Sequence, residues 1–93
     1  MFWGSNRRVN WKKLYDKTQN NPKDVRFSDF LRLIEFFGFT LDRQSGSHRI
    51  YKNPHVYRLL NIQPRKDGKA KPAQVREFLE MVNRHGLYPE DEQ

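Results

Sequence analysis

The sequence predicts an α+β fold, a two-layer sandwich in which helices cover one face of a three-stranded antiparallel sheet, with an extra helix in front. Three observations carry that expectation. Apolar residues recur at helical spacing on both sides of a central stretch, the central stretch alternates with period two, and Gly, Pro and Asn punctuate the junctions. Two apolar helix stripes need one apolar sheet face, which leaves the other face to solvent or to a partner.

The first helix is read from Trp11, Leu14, Tyr15 and Thr18, which follow Asn10 at i, i+3, i+4, i+7 spacing until Asn20, Asn21 and Pro22 break the chain. Ser28 is a suitable N-cap for the second, with Asp29 in its first turn. Phe30, Leu33, Ile34 and Phe37 form the stripe of that helix, and Gly38 is a natural left-handed stop. Phe39 and Leu41 then alternate with Thr40 and Asp42, and Ser45–Gly46 turns into a second strand, Ser47 to Lys52. Asn53, Pro54 and His55 read as a loop, since Pro54 has no N–H for a ladder. Leu59, Leu60 and Ile62 give a third strand closed by Pro64, and Arg65 to Lys71 is a polar turn and connector around Asp67 and Gly68. Pro72 fits the first position of the last helix, where Val75, Phe78, Leu79 and Val82 keep helical spacing up to His85 and Gly86. Residues 1–26 thus read as an N-terminal extension with a short helix, 27–88 as the main domain, and 89–93 as an acidic tail whose Glu90, Asp91 and Glu92 are expected to fray.

Ninety-three residues suit one core, which seven Phe, four Tyr and two Trp can close although only 35% of residues are apolar. No stretch approaches the ~20 apolar residues of a membrane span, so no membrane partner is expected. The absence of Cys excludes disulfides, thiolate nucleophiles and Cys-ligated metals. Residues 1–26 hold no apolar run of signal-peptide length, so the expected location is the cytoplasm.

The net charge of +7 points to a polyanionic partner. Between Asp42 and Lys71, eight cations face only Asp42 and Asp67, leaving +6, and residues 1–26 carry +5. Lys66, Lys69 and Lys71 arrive just ahead of a helix N-terminus with its unpaired N–H groups, an anion site that resembles the backbone-gripping end of double-stranded-RNA-binding domains. Metal catalysis is disfavoured: Asp42 and Asp67 lie on different elements, and His48 with His55 matches no zinc spacing. No cofactor is expected. Metal-free RNA cleavage needs only a base for the 2′-OH, an acid for the leaving 5′-oxygen, and cations on the developing charge. His48, just after a glycine turn, is the natural imidazole. Period-two counting puts it on the face of Ile50, which points it toward the helices unless a bulge at Gly46 re-aims it.

The run Arg43, Gln44, Ser45, Gly46, Ser47, His48, Arg49, Ile50, Tyr51, preceded by a helix ending in Phe37, Gly38, Phe39, resembles the HicA family of toxin–antitoxin mRNA interferases. The likeness runs from about Val25 to Leu87. It implies a double-stranded-RNA-binding-domain-like fold, metal-independent endoribonuclease activity with His48 as the catalytic residue, and neutralisation by a HicB-type antitoxin. The RNA-binding set is then Ser47, Arg49, Lys66, Lys69 and Lys71. Many family members carry a histidine soon after the proline of the third strand and a Gly-Thr lead-in to the last helix. Here Pro64 is followed by Arg65 and Lys66, and the lead-in is Lys71, Pro72, Ala73, which leaves charge stabilisation to Lys and Arg. Two rival readings stand beside this one: a non-catalytic double-stranded-RNA-binding module, and an interaction domain whose basic face meets an acidic protein.

Overall fold

Helical stripes and alternation resolve into six elements in a computed structural model that describes residues 3–89, with side chains from Trp11 onward. They are α1 (Trp3–Asn20), α2 (Phe27–Phe36), β1 (Thr40–Ser45), β2 (His48–Asn53), β3 (Val56–Ile62) and α3 (Pro72–His85). The acidic tail, Glu90 to Glu92, lies outside the described residues. The sheet is antiparallel in the order β1-β2-β3, the expected three-stranded layer.

Phe30, Leu33 and Ile34 of α2, Val75, Phe78 and Val82 of α3, and Leu60 and Ile62 of β3 are fully buried, with Tyr51 as the contribution of β2. The Phe78 ring meets Phe30, Phe37 and Phe39 at centroid distances of 5.7, 5.3 and 6.0 Å, all edge-on. Such pairs add about 0.5–1.5 kcal/mol each beyond the area they bury. Because Tyr51, Leu60 and Ile62 face the helices, the second face of the sheet stays open.

Several boundaries differ from the sequence expectation for identifiable reasons. The cap of α2 is Arg26 rather than Ser28, and its side chain makes no capping bond. The Phe27 N–H instead donates to the Gly68 carbonyl at 3.0 Å, so a distant loop satisfies a donor that a local cap would otherwise take. α1 begins at Trp3, ahead of Asn10. β3 begins at Val56 rather than Leu59, because Pro54–His55 is a tight turn closed by the Asn53 Oδ1, which accepts the His55 N–H at 2.8 Å. The ends of α3 fall where expected, with Pro72 in the first turn and Gly86 left-handed at φ 61°.

α1 lies against α2 and the segment after α3. Its Trp11 and Tyr15 rings sit 5.3 and 5.0 Å from Phe37, and Tyr15 is 5.9 Å from Tyr88. Burial, with the Tyr88 hydroxyl beside it, pushes the Tyr15 phenol well above its ordinary range. Among the described residues, no helix is long and apolar enough to cross a membrane.

Candidate functional site

His48 opens β2 directly after the two-residue turn Gly46–Ser47, pairing with Ser45 across it. Gly46 adopts φ 60°, the sign that two-residue hairpin turns demand, and an added Cβ there would meet nothing within 4 Å, so conformation rather than space calls for glycine. The expected parity holds, since His48 and Ile50 share a face. That face is the open one, because Tyr51 and Asn53 are the residues of β2 that are buried. His48 therefore stands exposed to solvent and is not turned toward the helices. Among the described residues its imidazole has no hydrogen-bond partner.

The other selected residues gather at the same end of the sheet but point in different directions. Ser47 is exposed in the turn. Arg49 faces the helix layer, its guanidinium 5.9 Å from the Phe27 ring centroid, and its backbone pairs with Ile62. His48 therefore lies level with Gln63, the residue that begins the connector to α3. Lys66 is exposed at the tip of a turn in which the Gly68 N–H donates to the Arg65 carbonyl at 3.0 Å. Lys71 is half-buried as the N-cap of α3.

Lys69 is already engaged. Its ammonium donates to Asp24, and its N–H donates to the Asp67 Oδ1 at 3.1 Å. The Lys69 hydrogen bond and charge hold the Asp24 carboxyl below its ordinary value. For Asp67, partial desolvation pushes upward, but the Lys69 N–H and the Arg65 guanidinium outweigh it and the net shift is downward. Arg65 also donates to the Lys23 carbonyl at 3.3 Å, and the Ala70 N–H donates to the Val25 carbonyl at 2.8 Å. The connector is thus a built structure laced to residues 23–27, with the N-termini of α2 and α3 opening onto it.

Sequence reasoning passed over two cations on the face of His48. Lys52 shares its parity, and Arg43 lies opposite Ile50 because a bulge at Asp42 shifts the register by one residue. Asp42 bridges them, 3.5 Å from each. Parity from His48 was a signal for Lys52, whereas no local pattern announced the bulge. Among the described residues, no group of three or more His, Asp or Glu side chains converges as a metal site would require.

A small basic α+β domain with helices on one sheet face, an open second face and a solvent-facing histidine at its cationic end has the layout of a double-stranded-RNA-binding-type module. The family described as HicA toxin of bacterial toxin–antitoxin systems matches residues 27–83, more than half of the chain. The chain belongs to that family of toxins, whose place in a two-component system implies an antitoxin partner. No curated protein and no solved structure matches it.

Proposed function

We propose that this protein is a metal-independent mRNA interferase in which His48 is the catalytic acid or base, acting in the cytoplasm and silenced by a HicB-type antitoxin. The observation that supports this reading most is the exposed imidazole of His48 on the open sheet face, at the end where the connector and two helix N-termini converge. In the reaction the ribose 2′-oxygen loses its proton and attacks the adjacent phosphorus. The bond to the 5′-oxygen breaks and that oxygen takes up a proton, leaving a 2′,3′-cyclic phosphate and a 5′-OH. Ser47 and Lys66 are free to meet RNA, and Lys71 and Arg49 add positive potential from the helix side of the same end. Lys69 contributes through its grip on Asp24, which shapes the connector. Residues 27–88 form the toxin module in this reading, with 1–26 as its extension.

The test is wild type against His48→Ala on a defined RNA. Cyclic-phosphate products from wild type, none from the variant, and similar thermal unfolding of both are expected. Products ending in 3′-OH, or undiminished cleavage by His48→Ala, overturn the assignment. One observation favours a non-catalytic RNA-binding module as the second reading. His55 lies in the turn at the opposite end of β2 and His85 at the far end of α3, so no second imidazole accompanies His48. RNA that stays bound and intact through long incubation with wild type would establish that reading.

A further inference from the structure

Where α1, which precedes the family-matched span, meets α2, the two helices enclose a groove whose outer cations the proposed chemistry does not use. Its outer part, about 280 Å³, is lined by Lys13, Leu14, Lys17 and Arg32. Leu14 and Lys17 also line an adjoining cleft of about 300 Å³ that reaches Thr18, Arg26 and Lys69. The two meet at Leu14 and Lys17 of α1, which line both. Lys13, Lys17 and Arg32 are exposed, and none has an ion-pair partner among the described residues. The inner cleft is mixed in charge, since it also holds Asp29 and Asp24, and Asp24 pairs with Lys69 and feels the positive charge of Lys17. Three cations without an ion-pair contact along the outer groove are the footprint of a backbone-tracking surface, because like charges held on one face repel each other until an anion neutralises them.

We infer that the α1–α2 groove is a second phosphate-binding track, with Lys13, Lys17 and Arg32 gripping an RNA strand that continues past Arg26 and Lys69 to the His48 end. The inference rests on the reading that this protein engages RNA. A folded interface of leucine and aromatic side chains would suit a protein partner better. Here the outer part offers one apolar residue, Leu14, among three cations, and the inner cleft adds only Val25, which suits a phosphodiester chain. The described molecule measures 36 Å along its longest axis. At about 3.4 Å per stacked nucleotide, roughly ten nucleotides reach from end to end, whereas about four cover little more than a third of that length.

The test uses the full chain carrying His48→Ala, so that RNA stays intact, with and without K13Q/K17Q/R32Q, none of which belongs to the proposed catalytic set. Binding of single-stranded RNA oligomers of about 16 and about 4 nucleotides is measured against salt. Each lost phosphate contact lowers the slope of log K against log salt by about 0.7, so three contacts reduce the weakening between about 50 and 200 mM by roughly 20-fold. That loss is expected for the long RNA alone, and the charge-preserving K13R/K17R/R32K variant should retain the parent slope. Equal slopes for the parent and K13Q/K17Q/R32Q on the long RNA overturn the track, as does an equal loss on the short one. A groove that captures an acidic protein while the RNA slopes stay unchanged overturns it as well. Failure of wild type to bind or cleave RNA of either length would instead overturn the proposed function, and the track with it.

Discussion

Replacing Asn53 by Ala is expected to destabilise the fold far more than its size suggests. Asn53 is 4% exposed, its Nδ2 donates to the Phe37 carbonyl at 3.0 Å, and its Oδ1 accepts the His55 N–H at 2.8 Å. The side chain thus joins the end of α2 to the turn between β2 and β3. Two ordinary hydrogen bonds are worth about 1 kcal/mol each, but the substitution also strands a buried carbonyl and a partly buried N–H, bringing the expected loss to about 2–4 kcal/mol. For a domain of this size that corresponds to a fall of roughly 10–25 °C in the melting midpoint, read by circular dichroism and checked by urea titration. Asn53→Asp keeps the acceptor for His55 but sets a carboxylate against the Phe37 carbonyl, so it should lose at least as much. A midpoint for Asn53→Ala within about 3 °C of wild type, or an Asp variant as stable as the parent, would refute the reasoning.

Gly38→Ala forces a left-handed φ of 90° on alanine and brings its Cβ to 3.2 Å from the Asn53 Nδ2, so a loss of about 1–2 kcal/mol is expected in urea unfolding. Acid should loosen the connector. Because Asp24 and Asp67 titrate below the ordinary 3.8 when folded, their contribution is complete above that value and is lost as pH falls through it toward the depressed folded values. The D24N/D67N protein should show a flatter melting midpoint against pH in that window. The difference should shrink at high salt, since both carboxylates are exposed.

Much of the layout was legible because local chemistry specified it. Pro72 and Gly86 bound α3, Gly38 ends α2, and the stripe from Phe30 to Phe37 faces the core, as spacing alone implied. The differences arose where a long-range contact did what a local residue was expected to do. The Gly68 carbonyl, not Ser28, receives the first N–H of α2, and Lys69 finds Asp24, which precedes it by 45 residues. For His48 the parity was readable but not the face, because Ile50 and Tyr51 are both apolar neighbours and only the packing of Tyr51 against the helices decides between them. The open-face location of Arg43 depends on a one-residue bulge, which leaves no periodic trace.

β1 is exposed along its whole length, and even Leu41, paired with the buried Tyr51, remains 45% accessible. Detaching this outer strand would cost ladder bonds and little hydrocarbon burial, so it ranks among the most easily opened parts of the domain. His48 rides on the neighbouring middle strand, which β3 and the tyrosine anchor hold in register whether or not the margin is attached. A partner that borrowed the outer strand's place could therefore reach the imidazole's flank without unfolding the layer that carries it.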